Sequence, residues 1–222
     1  MFPVCDVIPS RAKPVATIAL IASTVGAFIY ESHLLDQELR TLIRRCGVVP
    51  AEFNWPAIVC GLFLHISWLH VGANALGLWL FGCNIEDVLG RGRFLIFYLA
   101  CGGAAALAYV AGQSLSDVPL VGSSGAVAGL VGAYLVLYPG SRVHTAFAIL
   151  ALDLIEVPAA FYVGLWFIVQ LFSGARALSP DAAQGTLVLG PDVVGFVTGA
   201  LCGLYFRFRT PALREYWGPN SR

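Results

Sequence analysis

The chain has 222 residues, of which 58% are hydrophobic and only 12% carry a charge. Soluble domains average about 25% charged residues, so this composition excludes an ordinary soluble protein and indicates one that crosses a membrane several times. The formal net charge is zero and no long basic run is present, which argues against nucleic acid as a partner. The lipid bilayer is therefore the first predicted partner.

The six cysteines lack the CxxC spacing that is typical of metal and redox sites. At least three of them fall in apolar stretches, where cysteine behaves as a small hydrophobic residue. We therefore predict no metal site and no cofactor. The first apolar stretch has no small-residue cleavage site after it and runs directly into Glu31 and Ser32, so it is predicted to be a retained span rather than a signal peptide.

The apolar segments predict the architecture, because a membrane-spanning helix needs about 20 mostly apolar residues. The fold class predicted is an all-α membrane bundle of six transmembrane helices, at 14–30, 68–85, 94–112, 121–138, 158–174 and 187–206. Two shorter apolar runs, 57–64 and 145–155, are predicted to be interfacial or re-entrant pieces. The membrane domain then covers 14–207, between an N-terminal segment, 1–13, and a tail, 208–222.

Basic residues predict the orientation of this bundle, because cytoplasmic loops of membrane proteins are rich in Arg and Lys. With six spans both termini lie on one side, which then holds nine of the basic residues against four on the other. Both termini are therefore predicted to be cytoplasmic. Glu86 and Asp87, close to Arg91 and Arg93, are predicted to form an ion-paired cytoplasmic turn.

Three of the predicted spans begin with polar residues at one membrane depth. The second, fourth and sixth spans all run inward from the outer face, and they begin near His70 and Asn74, near Ser124 and near Asp192. Polar groups inside a membrane are costly and by default indicate a functional site.

Ser124 lies between Gly122 and Gly125, just inside a predicted helix start. Glycine permits a tight turn and a close approach of substrate backbone, while the first N–H groups of a helix can hold an anion. A serine placed there could attack a carbonyl whose oxygen turns toward those donors. The same GxSG pattern also occurs where small residues only pack helices together, so this motif alone leaves a structural role open.

His70 and Asn74 are four residues apart and hence lie on one helix face. Their N–H donors suit the stabilisation of an oxyanion better than the binding of a metal, which would need more ligands. A hydrogen bond between helices is the alternative role of this pair.

The last span repeats glycine every fourth residue, at Gly195, Gly199 and Gly203. A small-residue face of this kind, opposite a similar one on the fourth span, permits close approach of two helices. Asp192 shares the glycine face. We therefore expect Asp192 to lie near Ser124, where a general base for a serine nucleophile belongs.

Four stretches of the chain together resemble the rhomboid family of intramembrane serine proteases. They are HISWLHVGANALGLWLFG at 65–82, EDVLGRGRFLIFYLACG at 86–102, GSSGAVAGLVGAY at 122–134 and GLWFIVQLFSG at 164–174. The resemblance, which spans about 1–207, implies a six-helix membrane bundle with a Ser–His dyad that lies below the membrane surface and is open to water from outside. It implies that Ser124 is the nucleophile, that His70 and Asn74 line the oxyanion hole, and that Gly199 is the close-packing glycine of the last helix.

The chain departs from the family pattern at the base. The resemblance implies a histidine in the pattern H-x-x-G-F-x-x-G, whereas Asp192 begins the matching stretch DVVGFVTG. The ordinary pKa of aspartate is about 3.9 against about 6.5 for histidine, so an ionised carboxylate is the weaker base for a serine hydroxyl. The four histidines are His33, His65, His70 and His144, and none lies in the sixth span.

We expect this chain to be a multi-pass protein of the bacterial inner (plasma) membrane. Two functions are predicted for it. One is a rhomboid-type endopeptidase acting on transmembrane segments of membrane proteins, weakened by Asp192. The alternative is a catalytically inactive pseudoprotease that binds transmembrane clients. A transporter or proton pathway using Asp192 is a more distant reading, because the chain shows no inverted repeat and few intramembrane charges.

Overall fold

The structure is a computed structural model that describes residues 2–6, 13–146, 154–177 and 190–209. Within these ranges most residues are helical. The helices are α1 Val15–Ser32, α2 Asp36–Cys46, α3 Trp55–Cys60, α4 Trp68–Gly77, α5 Cys83–Leu89, α6 Arg91–Gly112, α7 Ser124–Leu137, α8 Ala159–Ala177 and α9 Gly190–Arg209. Short 3₁₀ turns cover Pro50–Glu52 and Gly61–Phe63, and a π-helical turn, Leu78–Gly82, joins α4 to α5.

Each of the six predicted spans coincides with one helix or one run of helix. Among the described residues, α1 and α6 are long and apolar enough to cross a membrane unaided. The run Trp68–Leu89 passes the same test together with the preceding Trp55–Phe63, from which it is bent by 94°. Two further stretches, Ser124–Leu137 and Ala159–Val169, are apolar and helical but shorter than these helices.

The prediction of an all-α protein is wrong in one respect, because the described residues include a three-stranded antiparallel sheet. The strands are β1 Phe2–Asp6, β2 Arg142–Ala146 and β3 Leu154–Pro158, with β2 in the centre. The ends of the apolar run 145–155 therefore lie in strands, and the rest of that run lies outside the described residues. The predicted N-terminal segment contributes β1. The predicted tail lies outside the described residues beyond Arg209.

Glu86 was predicted to sit in an ion-paired turn, and this prediction is wrong. Its side chain is buried and accepts hydrogen bonds from the Ala16 N–H at 3.0 Å, the Thr17 N–H at 2.7 Å and the Thr17 hydroxyl at 2.8 Å. The first N–H groups of α1 have no acceptor within their own helix, so a carboxylate there satisfies them and complements the helix dipole. Glu86 therefore fixes α1 against the end of α5.

Helices α7 and α9 lie together along almost their whole length, and glycine makes this possible. A Cβ on Gly195 would overlap the Gly125 backbone, and a Cβ on Gly199 would overlap the Gly129 carbonyl. On the other side α7 packs against α6, where a Cβ on Gly129 would lie 2.5 Å from the Cys101 side chain. The hydrophobic core surrounds α7, and its side chains from Ala126 to Ala133 are buried.

The segment between α1 and α4 folds over the N-terminal end of α7. Val48 and Leu120 pair through two backbone hydrogen bonds of 3.0 and 2.9 Å, and the Gly122 N–H donates to the Gly61 carbonyl at 2.8 Å. These bonds fix residues 120–122, which lead directly into α7. This stretch is called the serine loop below.

The α7–α9 contact predicts a position-dependent effect of adding one methyl group. Gly199→Ala should destabilise the protein by about 1–3 kcal/mol, because the new Cβ meets backbone that must move. The measurement is the free energy of unfolding of the purified protein in detergent.

Gly164→Ala in α8 is the matched control, because a Cβ there meets no atom within 4 Å. It should leave stability unchanged or raise it by up to about 1 kcal/mol, since alanine is the better helix former. Equal losses in both variants would contradict the close contact.

Candidate active site

Ser124 is the first residue of α7, and the serine loop determines its position. Gly122 has a φ of 110°, a left-handed conformation that favours glycine. A Cβ on Gly122 would also overlap the His70 ring, whose Nε2 would be only 2.9 Å away. No other residue fits there without strain. The chain therefore turns into α7 with the His70 imidazole directly against the turn.

Two serines lie at this helix start, but they differ in exposure. Ser123 is completely buried, whereas Ser124 is only partly buried. A void of about 20 Å³, roughly the size of one water molecule, lies beside Ser124 and is lined also by Gly122, Gly125 and Pro191. Ser124 is thus the hydroxyl that a small group can approach.

Asp192 lies in the first turn of α9, and the glycine contacts of that helix bring it to Ser124. The carboxyl is 4% exposed, and it is within hydrogen-bonding reach of the Ser124 side chain. Its other oxygen, Oδ1, is buried and has no hydrogen-bond partner among the described residues. A buried serine–carboxyl pair therefore exists at the start of α7.

His70 lies in the first turn of α4 and faces the serine loop. Its backbone N–H donates to the Ser67 side chain at 3.1 Å, which caps α4 and fixes the start of that helix. The ring is buried, and Nδ1 has no hydrogen-bond partner among the described residues. One nitrogen of the buried His70 ring is therefore not engaged by any described residue.

Asn74 is completely buried one turn further along α4, and His65 fixes its amide. The His65 Nδ1 lies 3.2 Å from the Phe63 carbonyl, which can only accept, so Nδ1 carries the proton. In the neutral imidazole Nε2 is then an acceptor, and it receives a hydrogen bond from the Asn74 amide nitrogen at 3.1 Å. The orientation of the Asn74 side chain follows from this bond.

Three residues of this site were not predicted from the sequence. Ser123 lies 3.5 Å from the His65 Nε2 and is hydrogen-bonded to the buried Tyr98 hydroxyl of α6. Glu31, at the end of α1, accepts a 3.1 Å hydrogen bond from the His65 backbone N–H. Of these residues only Glu31 had a signal in the sequence, because its carboxylate directly follows an apolar span and therefore needs a polar partner. Together these residues anchor His65, and through it Asn74.

The remaining histidines lie elsewhere. His33 is at the end of α1, where its Nδ1 is 2.7 Å from the Ile29 carbonyl. His144 is in β2, beyond the far end of α7, and α7 is about 21 Å long at 1.5 Å per residue. Neither can reach Ser124. Among the described residues no cluster of three or more His, Cys, Asp or Glu side chains could hold a metal ion.

An apolar groove runs between α4 and α8. Its cavity has a volume of about 250 Å³, and its lining includes Trp68, Gly72 and Leu76 from α4 and Leu165 and Trp166 from α8. Almost all of this lining is hydrophobic. Such a surface suits an apolar segment better than a charged molecule.

Comparison with known proteins identifies the family of this chain. The Rhomboid domain matches residues 52–210. Rhomboid protease GluP of Bacillus subtilis is 36% identical over 136 residues, which are 60% of this chain and 26% of the relative. Putative rhomboid protease YdcA of the same organism is 32% identical over 128 residues, 57% of this chain and 64% of the relative.

A mitochondrial relative extends the comparison to eukaryotes. Rhomboid protein 1 of Saccharomyces cerevisiae is 27% identical over 147 residues, which are 64% of this chain and 40% of the relative. The chain thus spans less than two thirds of the length of each of these three proteins. The domain match covers well over half of this chain and includes α3 to α9. With its apolar helices, the chain therefore belongs to the rhomboid family and is an integral membrane protein.

Proposed function

We propose that this chain is a rhomboid-type intramembrane serine endopeptidase scaffold that acts on transmembrane segments of membrane proteins. We further propose that cleavage is slow, because Asp192 occupies the place of the histidine base. The observation that carries this proposal is the buried contact between the Asp192 carboxyl and Ser124 at the start of α7. The membership of the family, in which several relatives are named proteases, supports the same reaction class.

In the proposed reaction the Ser124 oxygen attacks the carbonyl carbon of a peptide bond while Asp192 accepts the hydroxyl proton. The carbonyl oxygen becomes an oxyanion, held by the first backbone N–H groups of α7 together with His70 and Asn74. Asp192 then returns the proton to the leaving amine. Water attacks the resulting ester, Asp192 accepts the water proton and passes it to the Ser124 oxygen, and the acid product leaves.

The weak step is proton transfer. A catalytic group works best when its pKa lies near the working pH, and the ordinary pKa of an aspartate carboxyl, about 3.9, lies below the value of about 6.5 for an imidazole. Asp192 therefore takes the proton from Ser124 less readily than an imidazole would. The oxyanion donors remain in place, so the scaffold retains part of its catalytic power.

The groove between α4 and α8 supports a transmembrane segment as substrate. It is apolar, and its lining begins at Trp68, the first residue of α4. A helix lying in the membrane could place an unwound end over the serine loop without crossing a charged surface.

The alternative is a catalytically inactive client-binding protein. It is favoured by the fact that the groove is formed by α4 and α8 and needs no contribution from Asp192 or Ser124. A protein of this kind would hold transmembrane clients without cutting them.

The proposed setting is a bacterial inner membrane, with six spans between 14 and 207 and both termini in the cytoplasm. The support is the distribution of nine basic residues against four. Alkaline phosphatase fused after Arg209 should be inactive, and the same enzyme inserted into the loop after Gln113 should be active. Activity of the C-terminal fusion would contradict this topology.

Restoring an imidazole at position 192 should raise the rate of cleavage. Asp192→His is expected to cleave a model transmembrane substrate at least about 100-fold faster than the parent, because loss of a catalytic triad member costs serine proteases about 10⁴–10⁶ in rate. The measurement is the initial rate of product formation in proteoliposomes.

Ser124→Ala and Asp192→Ala are the controls, and both should show no cleavage. A parent as fast as Asp192→His would show that the carboxylate is a competent base. Absence of cleavage in Asp192→His, combined with crosslinking of the intact substrate to the groove, would favour the client-binding alternative.

A further inference from the structure

Two cysteines lie outside the candidate active site but next to the segments that support it. Cys46 is the last residue of α2, and Cys60 is the last residue of α3. Both are free thiols, and Cys60 is exposed while Cys46 is partly buried. At least one thiol of this pair therefore lies at the surface of the protein.

The two thiols face each other across the contact between α2 and α3. The Cys46 side chain is close enough to that of Cys60 for the two to interact directly. The backbones also touch, since a Cβ on Gly61 would lie 3.3 Å from the Cys46 carbonyl oxygen and 3.7 Å from the Gly47 Cα. A disulfide needs Cα atoms about 4.4–6.8 Å apart, so it forms only between segments whose backbones lie this close together.

The residues that follow each cysteine hold the serine loop. Val48, two residues after Cys46, exchanges two backbone hydrogen bonds with Leu120. Gly61, directly after Cys60, accepts the Gly122 N–H at 2.8 Å. A covalent bond between the two cysteines would therefore join the two backbone supports of the loop that leads into Ser124.

We propose that Cys46 and Cys60 form a reversible disulfide that locks α2 to α3 and holds the serine loop in place. The oxidant is a donor disulfide, either a small molecule such as oxidised glutathione or the oxidised form of a thiol oxidoreductase. One protein thiolate attacks the donor disulfide and releases a thiol, and the second protein thiolate then displaces the remaining donor sulfur. Two protein thiols are oxidised, and one donor disulfide is reduced to two thiols.

The proposed topology puts this pair on the outer side of the membrane, where oxidising conditions favour disulfides. The disulfide does not depend on whether Ser124 cleaves any substrate. A second pair provides an internal comparison, because Cys101 of α6 and Cys202 of α9 also lie close together. Cys101 is completely buried in the helix bundle, so soluble oxidants have no access to it.

The experiment uses the full chain in detergent, equilibrated with mixtures of oxidised and reduced glutathione. After acid quenching and alkylation, the cysteine-containing peptides are analysed by mass spectrometry without reduction. We expect an intramolecular Cys46–Cys60 disulfide in the parent and no disulfide between Cys101 and Cys202. Cys46→Ser and Cys60→Ser should instead carry one glutathione on the remaining cysteine.

Three outcomes would overturn the proposed bond. They are two free thiols under oxidising conditions, a separate glutathione on each cysteine, and a disulfide between two copies of the chain. None of these measurements requires protease activity. Failure of this proposal is therefore distinguishable from failure of the proposed function.

The effect on the serine loop is tested by hydrogen exchange. The peptide that contains Leu120 and Gly122 should exchange several-fold more slowly in the oxidised parent than in the reduced parent. In Cys46→Ser the oxidant should leave the exchange rate of this peptide unchanged. Equal exchange in the oxidised and reduced parent would contradict a role of the bond in holding the loop.

Discussion

Helices α7 and α9 approach each other so closely that a side chain as small as alanine has no room at their glycine contacts. The Gly195 and Gly199 positions meet the backbones of Gly125 and Gly129, and this fixes both the separation and the register of the two helices. Ser124 begins one helix and Asp192 lies in the first turn of the other. Because the register is fixed by backbone contact, the two side chains meet without any flexible element between them. The chemistry proposed for Ser124 depends on that contact.

The other side of the site is held by hydrogen bonds rather than by glycine packing. Glu31 holds the backbone of His65, and His65 in turn receives a bond from the Asn74 amide. The backbone of Gly61 holds Gly122, whose turn accommodates the His70 ring. The donors on α4 are thus positioned by α1 and by the segment before α4. None of these hydrogen bonds involves Asp192, so a substitution of the proposed base should leave the α4 side of the site intact.

Sequence reasoning predicted the parts of the structure that depend on local pattern. The six predicted apolar spans coincide with helices to within a few residues, although α2 was not predicted, and the glycine spacing of the last span predicted that Asp192 would lie near Ser124. The family predicted from four stretches is confirmed by the domain match. The roles of Ser124, His70, Asn74 and Asp192 remain proposals.

The parts that sequence reasoning missed depend on contacts between residues far apart in the chain. Glu86 lies beside arginines in sequence, but its carboxylate satisfies N–H groups at the start of α1, 69 and 70 residues away. The strand β1 pairs with β2 across more than 130 residues, and its short length gives no clear pattern. The position of Ser123 and Tyr98 against His65 likewise follows from helix packing. Such pairings have no periodic signal in a single sequence.

The most direct test of the account is the reactivity of Ser124 itself, since labelling requires no substrate to enter the groove. A fluorophosphonate probe should label Asp192→His at least about 100-fold faster than the parent, and Ser124→Ala should not be labelled in either background. That result would show that the oxyanion site is complete and that only the base limits the serine. Equal labelling rates of the parent and Asp192→His, or labelling that survives in Ser124→Ala, would contradict the account.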